Sequence, residues 1–302
     1  MKRCGCAVIG APTYARQAVI RLDAATVLLQ WATGGLLFLW VTTRRREVSL
    51  GYGWLLRATY LLMAIGALIA GVRYGEAVPV RDAASAGVVL ASLAALVVSI
   101  RRRAAGVAGE RERVEDRSGR VTAMTGIERQ RDEIDLDAAE FPPGLDLVAP
   151  AIGLVGLVAA GVAAGDPALL SVARVIIGAA FLGAVTDAML LGHWYLVQPG
   201  MPRGPLLELI RLLALLWPLE VLAMLWPVGM LSVFSGTIDD GYAGILGWMW
   251  AACAISTIAL VGVTRAALKE RQYSAVMAAT GLLYLAILTA FGTDLVARAV
   301  LA

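Results

Sequence analysis

Long apolar blocks separated by short polar links follow one another along the chain. A helix needs about 20 predominantly apolar residues to cross roughly 30 Å of hydrocarbon. The blocks reach that length, and they do not alternate as the strands of a membrane barrel do. The pattern predicts about eight transmembrane helices, over residues 23–43, 51–72, 83–100, 147–164, 168–197, 205–234, 243–263 and 274–301.

The composition favours the same class, an all-α polytopic helical bundle in a membrane. Hydrophobic residues make up 59% of the 302 residues and charged residues 16%. Soluble domains carry about 25% charged residues, and a soluble chain would have to expose the apolar excess as patches. We therefore expect a multi-pass protein of a cell inner membrane, in contact with lipid and without a nucleic-acid partner.

Positive charge is concentrated in alternate links between the predicted helices. Arginines or lysines occupy Arg44–Arg46, the charged segment 101–146, Arg203 and the link 265–271. Because such links stay in the cytoplasm, 101–146 is expected to be a cytoplasmic loop, with both termini outside. It is interpreted as a solvated linker or as a docking segment for a partner. The basic residues of the N-terminal lead-in, 1–22, disagree with this orientation.

Few residues are available for metal or nucleophile chemistry. The chain has 1 histidine and 3 cysteines, which excludes conventional histidine metal sites and bis-histidine haem sites within this chain alone. No nucleophile–base pair or phosphate loop is recognisable. The sequence thus predicts no catalytic residue and no metal, and a non-catalytic or quinone-binding subunit is favoured over a self-sufficient enzyme.

The end of the fifth predicted helix carries an unusual group of polar and aromatic residues. Asp187, His193, Trp194 and Tyr195 lie near the cytoplasmic surface, and a Pro/Gly-rich turn then leads to Arg211. An imidazole exchanges protons near neutral pH, so these residues are candidates for a quinone and proton site. The alternative is an interfacial aromatic belt with a histidine that binds a phosphate or a carbonyl.

Two further groups of charged residues lie inside predicted helices. Glu220 stands between Pro218 and Pro227 in the sixth helix, and broken helices often line transporter sites. Asp294 and Arg298 are four residues apart in the last helix, a spacing that allows a structural ion pair. The alternative for the two prolines beside Glu220 is that they have no special role, because proline is common in membrane helices.

Arginines near the ends of membrane helices can extend to the lipid headgroups, a behaviour called snorkelling. This is the structural interpretation of Arg57, Arg174 and Arg211, and the alternative is a role in a polar site.

A weak internal echo relates the two halves of the chain. Thr33, Trp40 and Arg57 recur as Thr186, His193 and Arg211, about 153 residues later. Such an echo would fit a four-plus-four duplicated bundle with one helix pair from each half at its centre.

Gly34-Gly35 and the closing pattern with Asp294 and Arg298 resemble the membrane-anchor subunits of the DMSO-reductase and polysulfide-reductase type. The resemblance implies a quinol-reactive subunit without haem, and a partner subunit that carries iron–sulfur clusters. The leading hypothesis is therefore a membrane subunit of a respiratory or redox complex that interacts with quinone or anchors redox partners. The alternatives are a secondary transporter or channel with a proton-coupling carboxylate, and a membrane assembly or scaffold protein.

Overall fold

The computed structural model describes residues 22–108, 112, 139–165, 167–198, 201–227, 229–270 and 272–302. Within these residues the chain is helical and contains no strand, as predicted. The helices are α1 (Ala24–Thr43), α2 (Leu50–Arg73), α3 (Pro79–Arg101), α4 (Val148–Ala164), α5 (Ala168–Val197), α6 (Gly204–Leu225), α7 (Met230–Phe234), α8 (Ile245–Ala267) and α9 (Tyr273–Leu301). The predicted roles of most of the 101–146 loop and of the lead-in fall outside the described residues.

Seven helices of the described chain are long and apolar enough to cross a membrane, and the protein is a multi-pass membrane protein. The remaining predicted crossing is the sixth, α6, which has 22 residues but carries Glu208, Arg211 and Glu220. The prediction that this helix continues to residue 234 is wrong. It ends at Leu225, because Pro227 cannot donate a backbone hydrogen bond and forces Trp226 into an extended conformation.

The helices form two groups with the same order of neighbours. In the first group, α1 packs on α2, α2 on α3, α3 on α4 and α4 on α1. In the second group, α5 packs on α6, α6 on α8, α8 on α9 and α9 on α5. The two groups meet where α5 lies against α1 and α4. This is the arrangement expected of a four-plus-four bundle.

Glycines allow α1 and α5 to approach closely at this seam. A Cβ atom on Gly34 would overlap the carbonyl group of Ala179, and a Cβ atom on Gly183 would overlap the backbone of Gly34. Across the same seam, the Trp31 indole donates a hydrogen bond to Thr186 Oγ1 at 2.9 Å. The Gly34 position therefore has a packing role in this fold.

The basic links contact one another at a single end of the bundle, here called the arginine-rich end. Arg44 pairs with Glu208, and Arg46 pairs with Glu140 at 2.7 Å. Arg203 Nη1 donates to the carbonyl oxygen of Leu268 at 3.1 Å. These contacts join links that precede or follow eight of the helices, so the alternation of charge along the sequence corresponds to two chemically different ends.

Arg57 lies at this end, but its side chain does not extend to the lipid headgroups. Its Nε and Nη2 atoms donate to the two carboxylate oxygens of Asp146 at 2.8 and 2.7 Å. Its guanidinium also stacks on the ring of Phe141, with 4.3 Å between the guanidinium carbon and the ring centroid. The side chains of Arg57 and Asp146 are 3% and 1% exposed, so this ion pair fixes the start of α4 against α2.

At the opposite end, Asp240 organises the turn before α8. Its carboxylate accepts hydrogen bonds from the backbone N–H groups of Gly244 at 2.8 Å, Tyr242 at 2.9 Å and Leu246 at 2.9 Å. These backbone donors, Gly244 first, hold the pKa of Asp240 below its ordinary value. The ionised carboxylate therefore caps the N-terminus of α8.

Candidate functional site

The residues predicted to form a site at the end of α5 do not meet in one place. His193 is exposed, and its Nδ1 atom lies 3.1 Å from the Tyr284 hydroxyl of α9. The Trp194 indole donates to Ser49 Oγ at 2.9 Å, and the Tyr195 hydroxyl donates to a backbone carbonyl of the following turn. Arg211 is exposed on α6. Side chains six residues apart on a helix, such as Asp187 and His193, point in widely different directions.

Asp187 instead faces the interior of the bundle. The hydroxyl group of Tyr60, on α2, donates a hydrogen bond to Asp187 Oδ1. The second carboxylate oxygen is buried and accepts no hydrogen bond from any described residue. Tyr52, which is also fully buried, interacts electrostatically with Asp187. Sequence reasoning singled out the acid but missed both tyrosines, which come from a helix more than 100 residues earlier in the chain.

A second buried group, here called the charged cluster, joins three helices near the end of the bundle opposite the arginine-rich end. It comprises Arg174 of α5, Glu220 of α6, and Asp294 and Arg298 of α9, all 0% exposed. Arg298 Nε donates to Asp294 Oδ2 at 2.7 Å, the ion pair that the four-residue spacing allows. Glu220 interacts electrostatically with the other three residues.

Two residues that the sequence interpretation missed complete the surroundings of the cluster. Gln30 of α1 donates from Nε2 to Asp294 Oδ1 at 3.5 Å. A Cβ atom on Gly178 would lie 2.7 Å from Asp294 Oδ1 and 3.1 Å from Arg298 Nη2, so glycine leaves the space that the cluster occupies. Gln30 is an amide within an apolar block, which is the one sequence signal that could have drawn attention to it.

The snorkelling interpretation of Arg174 is wrong. The residue is fully buried, and its Nε atom donates to the carbonyl oxygen of Ala223 at 2.8 Å. Arg174 is the seventh residue of α5, and its position is about 9 Å along the helix axis from the first residue. That carbonyl lies near the end of α6, so Arg174 holds α5 to α6 beside Glu220.

The cluster balances its formal charges but leaves hydrogen-bonding groups unused. Two guanidinium groups face two carboxyl groups, and a charge at membrane depth costs about 2.5–3.5 kcal/mol on insertion scales, less when it is paired. Both oxygens of Glu220 are buried and accept no hydrogen bond from an N–H group of a described residue, while the Glu220 carboxyl group lies within hydrogen-bonding reach of the Asp294 carboxyl group. Both Nη atoms of Arg298 are buried and donate no hydrogen bond to a described residue. Such a polar, incompletely paired interior is where proteins hold internal water.

No family model, curated protein or solved structure matches the chain. The resemblance to polysulfide-reductase-type anchors therefore stays a prediction. Among the described residues there is no group of three or more His, Cys, Asp or Glu side chains placed to hold a metal ion.

Proposed function

We propose that this membrane protein is a transporter or channel that moves protons, with Glu220 as the group that takes up and releases them. The observation that carries the proposal is the fully buried Glu220 carboxyl group, which has two oxygens without a hydrogen-bond donor beside two arginines and a second acid. Adding or removing one proton there changes the charge balance of the whole cluster.

The geometry favours this reading over a site at the end of α5. A proton carrier needs a titratable group in the membrane interior that is held by several helices, and Glu220 meets this requirement. Asp187 and His193 lie on different sides of α5 and have different partners. They do not form a common pocket for a quinone headgroup among the described residues.

Proton flux into vesicles tests the proposal. The purified protein is reconstituted into liposomes that contain a pH-sensitive dye, and a potassium diffusion potential drives protons inward. Vesicles with the unaltered protein should acidify faster than empty vesicles. Glu220→Gln removes the titratable group while keeping its size, and flux should fall to the level of empty vesicles.

Glu208→Gln is the matched control. Glu208 lies on the same helix but is half-buried and pairs with Arg44 and Arg45 at the arginine-rich end. This variant should keep the flux of the unaltered protein. Equal flux in the Glu220 variant and the unaltered protein, or no flux from the unaltered protein, would contradict the proposal.

A quinone-interacting or anchoring subunit of a redox complex is the second candidate, and one observation favours it. His193 and Tyr284 form a hydrogen-bonded pair at 3.1 Å on the exposed surface of the bundle, near the arginine-rich end. An imidazole and a phenol on the membrane-facing surface could bind and protonate a quinone that diffuses in the bilayer.

Copurification tests this second candidate. The tagged protein, isolated in mild detergent, should then bring iron–sulfur subunits in fixed ratio together with bound quinone, and His193→Ala should abolish quinol oxidation by the complex. A complex that remains fully active with alanine at this position would rule the quinone role out. Stable partners without redox groups would point to an assembly or scaffold role.

A further inference from the structure

A cavity of about 630 Å³ opens at the end of the bundle opposite the arginine-rich end. It lies between the first residues of α1, the link from α2 to α3, and the end of α4. Polar and apolar side chains line it, among them Thr26, Glu76, Arg81, Ala160 and Val175. Arg81 is held at the rim by Asp23 and by Asp82, the latter at 2.9 Å.

Gln30 and Arg298 lie about one helical turn deeper than residues that line this cavity. Thr26 lines the cavity, and Gln30 follows four residues later on the same face of α1, about 6 Å deeper. Val175 lines the cavity on α5, between Arg174 and Gly178. Ala302 also lines the cavity, and Arg298 of α9 lies four residues before it, again about one helical turn deeper.

Unused hydrogen-bonding groups lie along this step. Gln30 is 0% exposed, and its Oε1 atom accepts no hydrogen bond from a described residue. The Arg298 guanidinium lies near it beside Gly178, and its two Nη atoms also lack an acceptor among the described residues. Water that entered from the cavity would satisfy all three atoms, since internal waters bind where two to four polar partners converge.

The cavity at the arginine-rich end is much smaller. The cavity found there, beside Arg57 and Phe141, holds about 40 Å³, room for one or two waters. The ion pair between Arg57 and Asp146 lies at its wall.

We propose that the large cavity is an aqueous vestibule through which protons reach the charged cluster from the side opposite the arginines. By the positive-inside rule this side is the outside of the cell. The identity of the moving species rests on the proposed function, whereas the access of water to Gln30 does not.

Cysteine accessibility tests the vestibule. In a background with Cys4, Cys6 and Cys253 replaced by serine, Gln30→Cys is treated with a charged, membrane-impermeant thiol reagent. The reagent is added to vesicles of either orientation. Labelling is expected when the end opposite the arginines faces the reagent, and not in the reverse orientation.

Two further variants keep the result interpretable. Val175→Cys lines the floor of the cavity and should be labelled from the same side, even if the Gln30 variant folds poorly. Ala297→Cys is the matched control, because Ala297 is 0% exposed at a similar depth on α9 but packs in an apolar cluster with Met224 and Trp250. No labelling at Gln30 and Val175, or labelling equal to that of Ala297, would overturn the vestibule.

Flux measurements on the labelled protein separate the two proposals. Labelling of the Gln30 variant should abolish proton flux, since the reagent fills the route. Labelling that leaves flux unchanged would overturn the vestibule as the proton route, while the role of Glu220 would still stand on the Glu220→Gln result. Labelling of a protein that conducts no protons would refute the proposed function but not the water access.

Discussion

Asp146→Asn is expected to destabilise the bundle strongly, although Asp146 lies far from the charged cluster. The substitution removes the negative charge that faces Arg57, whose side chain is 3% exposed. It also replaces one of the two acceptor oxygens, at 2.8 and 2.7 Å from the guanidinium nitrogens, by an amide donor. A buried arginine would then keep its charge and lose its counterion.

The expected loss is about 3–5 kcal/mol of unfolding free energy, the range found when one partner of a buried ion pair is removed. Contacts that remain favour the lower end of this range. Arg57 still donates to Ser99 Oγ at 3.3 Å and still stacks on Phe141. Replacing both Arg57 and Asp146 by leucine should recover most of the loss, because no charge then stays buried.

Unfolding by a denaturing detergent, followed by tryptophan fluorescence and circular dichroism, measures these differences. Glu140→Gln is the matched control, since Glu140 pairs with Arg46 at the same end at 2.7 Å but with 47% of the arginine side chain exposed. An exposed pair contributes about 0–1 kcal/mol. Losses for the two variants that agree within about 0.5 kcal/mol would refute the assignment of Arg57 and Asp146 as a buried, stabilising pair.

Three further predictions concern other parts of the bundle. Gly183→Ala should separate α1 from α5 and weaken folding in the same assay, whereas Gly281→Ala, where a Cβ atom meets nothing within 4 Å, should be neutral or stabilising by about 0.5–1 kcal/mol. Tyr60→Phe should cost about 1–3 kcal/mol because the Asp187 carboxyl loses its donor, and a neutral result would show that another group serves it. The pKa of Asp240 is lowered in the folded protein, so the stabilisation that its carboxylate gives is complete above its ordinary pKa and is lost as the pH falls through the folded pKa. Proteolysis of the turn before α8 should rise in that pH range, and Asp240→Asn should abolish this pH dependence.

Sequence patterns predicted the helices well because lipid imposes a length and an apolar composition on each crossing. They also indicated the pairing of Asp294 with Arg298, because residues four apart share one face of a helix. Contacts within one helix follow from spacing alone. The end of α6 was missed because the apolar block continues through Pro227, and only the backbone reveals the break.

Contacts between helices could not be predicted in the same way. Tyr60 and Asp187 are separated by 127 residues, and Arg57 and Asp146 by 89. The direction of each side chain around its helix depends on which neighbours the helix packs against. His193 attracted attention because histidine is rare in this chain, but rarity does not indicate whether a residue faces the bundle interior.

The order of helices has a consequence for how such a protein could change its accessible side. Each group contains four long helices, an even number, so α1 and α5 cross in the same direction and the groups would be related by an axis along the membrane normal. In an inverted repeat, the two halves can exchange conformations and thereby turn an outward opening into an inward one. Here such an exchange would leave the opening on the same side. Alternate access would require one group to rock against the other about the glycine seam of Gly34 and Gly183.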